Sequence, residues 1–179
     1  MVALFREAGW RTVETDELVR DLLARDDAVH DALRMRWGDT VFSEDGLVDR
    51  KAIAAHVFAD DSELKWLEQL LHPRVRALWE GMVVATPQAN WLVEIPLLFE
   101  KRLESCFNFT VCVTSTPDVV EVRVVQRGYS GAEVRQRRKR QMLMDEKVRR
   151  AEYLLSNSGS LEFLKLQTTR LIDQLNRNA

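Results

Sequence analysis

The sequence has 179 residues, 46% of them hydrophobic and 30% charged, and its formal net charge is −2. This size and composition predict one globular domain with a sizeable core, and the near-neutral charge gives no overall attraction to nucleic acid or to an anionic membrane. No apolar run is long enough to span a bilayer, and the N-terminal residues lack the features of a signal peptide. The two cysteines suit neither a disulfide framework nor a metal site, so we expect a reducing cytoplasm.

The chain begins with a predicted helix and a short predicted strand. Residues 2–8 have the apolar spacing of a helix that ends at Gly9, and residues 11–15 predict a strand. A second helix is predicted over residues 17–24, directly after Asp16. The Asp16 carboxylate is either the cap of this helix or a catalytic base at the carboxyl end of the strand, and its position alone favours the cap.

Residues 17–84 predict an almost entirely helical crossover between two strands. Turn residues, caps and a proline divide it into helices over residues 17–24, 27–37, 49–58, 60–72 and 74–84. Asp60 and Glu63 have the spacing of a capping box. A helix break is predicted at His72, because Pro73 disfavours the α conformation of the residue before it.

Three further strands are predicted over residues 91–95, 109–113 and 152–155, and Ser160 caps a final amphipathic helix. Glu94 lies near the end of the first of these strands, where an acid is costly unless it has a partner. A magnesium-bound water, a phosphate-binding loop or an arginine of the core could be that partner. The order of the elements predicts an α/β three-layer fold with a parallel sheet and helical insertions.

A strongly basic segment occupies residues 121–150, with ten Lys or Arg against four Asp or Glu, whereas the rest of the chain has a net charge of −8. Thr116 followed by Pro117 predicts the start of a helix, on which Arg123 and Arg127 project from one face. After a break at Gly128 and Gly131, a second predicted helix carries five basic residues, Arg135, Arg137, Arg138, Lys139 and Arg140.

Two arginine-bearing helices joined by a glycine hinge would suit a lid that closes on phosphates. The same charges could instead form a solvated helix face, a nucleic-acid patch or a targeting signal. The position of Arg123 and Arg127 directly after a predicted strand argues against the last two, because α/β folds place ligand groups at the carboxyl ends of strands.

Six stretches, taken together, resemble the dephospho-coenzyme A kinases, a family of P-loop kinases. They are LFREAGWRTVETDELVRDLL (residues 4–23), HPRVR (72–76), VEIPLLFE (93–100), the pair Arg123 and Arg127, Arg137 with Gln141, and NSGSLEFL (157–164). Each short motif is weak alone, but together they extend over nearly the whole chain and are specific. The resemblance implies a P-loop kinase-like α/β fold in one domain over residues 1–179, with a helical substrate-binding region at 17–84 and a lid region at 118–150.

The resemblance further implies an enzyme that transfers the γ-phosphate of ATP to the 3′-hydroxyl of dephospho-CoA, the last step of coenzyme A biosynthesis. Its partners would be the small molecules ATP and dephospho-CoA, with Mg²⁺ as the implied ion and with neither nucleic acid nor a membrane. Asp16 matches the aspartate proposed to orient or deprotonate the 3′-hydroxyl, which reverses the preference for a cap. The other matched residues are Arg123, Arg127 and Arg137 at the phosphates, Asn157 and Gly159 at the adenine, and His72 and Pro73 in the region expected to hold the pantetheine arm.

The sequence departs from the family pattern in its missing phosphate-binding motif, at Glu14 and in the segment RQRRKRQ (residues 135–141), which is more basic than is typical. It contains no G-x-x-x-x-G-K-[ST] motif, whose lysine the resemblance would place about two or three residues before Met1, after the first strand of the sheet. We therefore expect an ordinary kinase with a misassigned start or a shortened chain, the alternative being an inactive chain or one that obtains its P-loop from elsewhere. Glu14 stands where the family usually has Asp. Competing hypotheses are another small-molecule P-loop kinase, of the nucleoside monophosphate kinase type, and a basic binding module or inactive fragment.

Overall fold

The computed structural model describes residues 1–126, 134 and 141–178. Its helices are α1 (Val2–Glu7), α2 (Thr15–Arg25), α3 (Asp27–Trp37), α4 (Arg50–Ala59), α5 (Asp61–Ala85), α6 (Pro117–Gln126), α7 (Met144–Arg150) and α8 (Leu161–Asn178). Its strands are β1 (Arg11–Glu14), β2 (Trp91–Glu94), β3 (Val111–Thr114) and β4 (Tyr153–Ser156). The described residues form two compact units, one within 11–95 and the other within 1–10 together with 96–179.

The unit of residues 11–95 combines β1 and β2 with helices α2 to α5. The two strands are parallel, and their register pairs Arg11 with Trp91 and Glu14 with Glu94. Helices α2 and α4 both contact α5, and the buried side chains of this unit include Leu22, Leu33, Val57, Leu71 and Trp79. The predicted helical crossover between two strands is confirmed.

The start of α5 departs from the predicted capping box. The Asp60 side chain caps the helix as predicted, because its Oδ1 accepts a hydrogen bond from the Ser62 N–H at 2.7 Å. Glu63 does not complete the box. Its carboxylate accepts hydrogen bonds from the guanidinium of Arg36 and from the Trp37 indole, at 2.6 Å for the latter. Glu63 therefore joins α5 to α3 through a long-range contact that the local sequence does not specify.

The predicted helix break at His72 is wrong, because α5 runs without interruption from residue 61 to residue 85 and includes Pro73. Proline removes one N–H donor from the helix but leaves the rest of the hydrogen-bond ladder available. Leu71 and Val75 are buried on either side of Pro73, so core packing favours a continuous helix. The Arg74 side chain also donates a hydrogen bond to the Leu70 carbonyl at 2.7 Å in this turn.

The second unit combines β3 and β4 with helices α1, α6, α7 and α8. The strands are parallel, and their register places Val111 opposite Tyr153. Helix α1 contacts α8. Phe5 of α1 is fully buried, and the Trp10 indole N–H donates to the Asn176 side-chain oxygen at 3.0 Å. These contacts attach the first ten residues to the C-terminal helix.

Strand β3 begins two residues later than predicted. Phe109, the first residue of the predicted strand, is 38% exposed, whereas Thr110 is buried. The Thr110 N–H donates to the Glu152 carboxylate at 2.8 Å, and the Thr110 hydroxyl donates to the same oxygen. The hydroxyl bond lowers the pKa of Glu152. A side-chain contact therefore holds the two chain segments together just before the ladder begins at Val111.

The order of the elements and the parallel pairing confirm the predicted α/β fold. In the part of the chain that the structure describes, the strands form two separate two-stranded sheets, β1 with β2 and β3 with β4. No helix among these residues combines the length and the apolar character that a membrane span requires.

Candidate active site

Asp16 lies in the first turn of α2, just beyond the carboxyl end of β1. Glu14 ends the strand and occupies the N-cap position of the helix without a side-chain capping bond, so the interpretation of Asp16 as the cap is wrong. The Asp16 side chain is exposed, and among residues 1–126, 134 and 141–178 no hydrogen bond or ion pair engages its carboxylate. It can therefore accept a hydrogen bond from a substrate hydroxyl, and the helix N-terminus favours negative charge at this position.

Glu94 of β2 lies beside Glu14 of β1, because the two parallel strands are paired at these residues. The Thr15 hydroxyl donates to the Glu94 carbonyl oxygen at 3.0 Å and so ties the start of α2 to the end of β2. Partial burial, the negative charges of Glu14 and Asp16, and a hydrogen bond with Glu14 raise the pKa of the Glu94 carboxyl. The described residues supply no arginine partner for Glu94. Its neighbour is a second carboxyl group, with which it can share a proton.

These carboxylates do not form a complete metal site. In the described ranges, no group of three or more His, Cys, Asp or Glu side chains is arranged to hold a metal ion. Magnesium commonly takes only one or two protein carboxylates and completes its shell with waters and substrate phosphates. An ion bound here would therefore take no more than one or two of these carboxylates and would complete its shell with phosphate oxygens and waters.

We expect Glu94→Gln to stabilise the protein at neutral and alkaline pH. The folded chain holds the Glu94 proton more tightly than the unfolded chain, so stability falls as the pH rises above 4.5 and through the raised pKa. Glutamine does not ionise, so the variant does not lose this stability as the pH rises. Because the Glu94 side chain is only partly shielded and keeps much of its contact with solvent, we expect Tm to rise by only about 1–2 °C near pH 8 and by less near pH 5.

Thermal unfolding followed by circular dichroism at both pH values measures this difference. Glu17→Gln is the control, because Glu17 is an exposed carboxylate in the first turn of α2, outside the pair of Glu14 and Glu94. The control should not gain stability as the pH rises. An equal gain for Glu94→Gln at both pH values would show that the proton on Glu94 is not the cause.

Arg123 of α6 is bonded to the loop that follows β4. Its Nη1 donates to the Asn157 carbonyl at 2.9 Å, and the Ser115 hydroxyl donates to the same oxygen at 3.1 Å. The Asn157 N–H extends the strand ladder by donating to the Thr114 carbonyl at 2.7 Å. The structure thus brings together two predicted site residues, Arg123 and Asn157. The other guanidinium N–H groups of the half-buried Arg123 can donate to an anion.

Gly159 lies where the same loop passes close to α8. A Cβ atom on Gly159 would come within 3.3 Å of a ring carbon of Phe163, so a larger residue would displace either the ring or the loop. Ser160 caps α8 as predicted, because its hydroxyl accepts from the Phe163 N–H at 3.1 Å. On the other side, the Ser158 hydroxyl accepts from the Thr116 N–H at 2.9 Å, directly before α6. The loop of residues 157–160 is therefore held at both ends.

No local sequence pattern predicts a partner for Glu100, and the structure supplies two. Its Oε1 accepts from the Lys147 ammonium at 2.7 Å and from the Met142 N–H at 2.8 Å. Burial acts to raise the pKa of Glu100, but these hydrogen bonds, a hydrogen bond to its own backbone and the positive charge of Lys147 together outweigh it and hold the pKa below its ordinary value. Lys147 also donates to the Pro96 carbonyl at 3.4 Å. The segment PLLFE (residues 96–100) therefore anchors the residues around the start of α7. This contact joins segments that are distant in the sequence, so no local pattern predicts it.

The remaining predicted site residues are placed as follows. His72 is half-buried and Pro73 is exposed, both in the middle of α5, and their contact with a substrate stays a prediction. Arg127 and Arg137 lie outside the described residues, as do the predicted glycine hinge and the basic helix at residues 135–140.

Comparison with known proteins gives consistent results. A family model described as dephospho-CoA kinase matches residues 1–162. A dephospho-CoA kinase of Thermosynechococcus vestitus is 35% identical over 97% of this chain and 86% of its own length. One of Aquifex aeolicus is 30% identical over 98% of this chain and 90% of its own length. The crystal structure of TT1252 from Thermus thermophilus is 34% identical with a TM-score of 0.79 over 97% of this chain and 88% of its own. A dephospho-CoA kinase structure from Campylobacter jejuni shares the fold, with a TM-score of 0.71 at 20% identity over 99% and 90%.

Proposed function

The chain belongs to the dephospho-CoA kinase family, which catalyses the last step of coenzyme A biosynthesis, and we propose that Asp16 and Arg123 are two of its reacting-site residues. The acceptor would be the 3′-hydroxyl of dephospho-CoA and the donor the γ-phosphate of ATP. The exposed Asp16 carboxylate, which forms no hydrogen bond or ion pair with a described residue, is the observation that carries this proposal.

In the proposed reaction Asp16 accepts the proton of the 3′-hydroxyl. The hydroxyl oxygen then forms a bond to the γ-phosphorus, the bond from that phosphorus to the β,γ-bridging oxygen breaks, and ADP leaves with the electron pair. Such a transfer needs positioning and charge neutralisation more than covalent help from the protein. A carboxylate at the N-terminal turn of a helix, next to a strand end, is held on rigid elements that can provide this positioning.

We propose that Arg123, Arg127 and Arg137 bind the phosphates of ATP. Arginine suits this role, because its permanently charged planar fork matches phosphate oxygens. The bond from Arg123 to the Asn157 carbonyl supports the proposal, since it fixes the guanidinium against a loop and, among the described contacts, uses only Nη1. For Arg127 and Arg137 the support is their match to the family motif in the sequence.

We propose that Asn157 and Gly159 line the adenine of ATP, and that His72 and Pro73 belong to the region that receives the pantetheine arm. The close approach of Gly159 to Phe163 supports a loop of defined shape. Magnesium, when bound with ATP, would neutralise phosphate charge, and Glu14 and Glu94 are the described carboxylates suited to hold it. Neither Cys106 nor Cys112 forms a disulfide within the described residues, in keeping with the proposed reducing compartment, the cytoplasm.

The direct test is an assay that follows ADP release and the gain of one phosphate on dephospho-CoA. The assay is run on this chain and, in parallel, on the chain extended at its N-terminus by a strand and a G-x-x-x-x-G-K-[ST] loop. The extension is needed because the sequence contains no such motif. We expect phosphorylated product from at least one of the two forms. Product from AMP or CMP instead would favour a nucleoside monophosphate kinase, and no product from either form would overturn the proposal.

A further inference from the structure

Gln167 of α8 binds both backbone groups of Ser156, the last residue of β4. Its side-chain Nε2 donates to the Ser156 carbonyl at 2.8 Å, and its Oε1 accepts from the Ser156 N–H at 3.0 Å. Gln167 is half-buried, so part of this contact is shielded from water. One side-chain amide thus satisfies both the backbone N–H and the backbone carbonyl of Ser156.

The geometry of the strand explains why Ser156 has this pair to offer. Successive residues of a strand direct their backbone groups to opposite edges. The Asn157 N–H points to β3, where it donates to the Thr114 carbonyl at 2.7 Å. The backbone groups of Ser156 therefore point to the other edge of β4, and the Gln167 amide occupies the position that a further strand would take. Within the described part of the chain no strand pairs with this edge of β4, and the Gln167 amide closes its end.

Asn157, the residue after Ser156, is held by hydrogen bonds from the edge of β4 that faces β3. Arg123 and the Ser115 hydroxyl both donate to the Asn157 carbonyl. Asn157 is directly bonded to Ser156, so its peptide is fixed by Gln167 on one edge and by α6 and the end of β3 on the other. Loss of the Gln167 contact would free one side of the loop while leaving the other side bonded.

Resting on the proposed function, in which Asn157 and Gly159 line the adenine, we propose that Gln167 is a positioning residue for ATP. Its amide fixes the end of β4, and through it the shape of the loop that receives the base. Backbone donors and acceptors of a loop recognise a base only at defined positions, so Gln167 sets both the affinity for ATP and the discrimination between adenine and guanine. It acts through Ser156 and does not itself touch the nucleotide.

The test compares Gln167→Met with Gln174→Met in the form of the chain that shows kinase activity. Methionine has nearly the length of glutamine but can form neither hydrogen bond, and Gln174 is an exposed glutamine on the same helix. For Gln167→Met we expect KM for ATP to rise roughly tenfold, as for loss of two modest hydrogen bonds, with the ratio of ATP to GTP use reduced. KM for dephospho-CoA should stay within about twofold, and Gln174→Met should change neither KM.

Amide hydrogen exchange at Ser156 gives a readout that does not depend on activity, and it should become faster only in Gln167→Met. Unchanged exchange at Ser156 would overturn the contact itself. Unchanged KM for ATP, or an equal rise in KM for both substrates, would make Gln167 a purely structural residue and overturn the proposal. If the wild-type chain uses no ATP in either form, the proposed function fails first, and this inference fails with it.

Discussion

Replacement of Asp16 by Asn is expected to lower kcat by about 10²–10⁴-fold while KM for ATP changes little. Asparagine keeps the size of the side chain and can still accept a hydrogen bond, but it cannot take up the proton of the 3′-hydroxyl. The loop that we propose to bind ATP, residues 157–160, lies elsewhere in the chain, so ATP affinity should not depend on this carboxylate. Steady-state kinetics with each substrate varied in turn measures both constants, in the form of the chain that shows kinase activity.

The control for Asp16 is Asp21→Asn on the same helix. Asp21 is exposed and pairs with Arg25 at 3.2 Å one turn later, so its loss removes a surface charge without touching the strand end. We expect near-normal kcat for this variant, because exposed ion pairs of this kind contribute little. A kcat close to wild type for Asp16→Asn would remove Asp16 from the role of proton acceptor.

Replacement of Arg123 by Gln is expected to lower kcat/KM for ATP by about 10²–10³-fold. The change removes a permanent positive charge that the proposed site directs at the phosphates, and it also removes the donor that holds the Asn157 carbonyl. Arg123→Lys keeps the charge but not the planar fork, so it should recover only part of the loss. Initial-rate kinetics over a range of ATP concentrations measures the effect.

Arg170→Gln is the control for Arg123, because Arg170 is an exposed arginine on α8 whose loss changes the net charge equally. We expect no change in kcat/KM for this variant. An equal decrease for Arg123→Gln and Arg170→Gln would indicate a general effect of charge. Unchanged ATP kinetics in Arg123→Gln would exclude Arg123 from phosphate binding.

Local sequence rules placed most of the helices and strands. The helix from Asp27 to Trp37 has the bounds predicted from the sequence, in which Gly38 marks its end. Gly38 adopts a φ of +68°, a conformation that glycine tolerates best. The rules failed at Pro73 and Glu63, where distant contacts decided the outcome. A proline was accommodated because the buried residues around it pack better in one helix, and a capping glutamate was taken by an indole and a guanidinium from α3.

The candidate site divides in the same way. The sequence could place Asp16 after a strand and Arg123 in a helix, since these positions follow from local patterns. It could not show that Arg123 reaches the Asn157 carbonyl, or that Gln167 pairs with Ser156, because neither contact has a periodic signal in the sequence. The pairing of Glu14 with Glu94 required the strand register, which depends on how the whole crossover folds.

The continuity of α5 has a mechanical consequence for the unit of residues 11–95. A helix of 25 residues is about 37 Å long, so a tilt of about 5° around one end moves the other end by about 3 Å. A break at Pro73 would have absorbed such a tilt at a joint. Because α5 is one continuous helix, a small rotation at its capped start at Asp60 would instead displace residue 85 by several ångström. Residue 85 lies six residues before β2 begins.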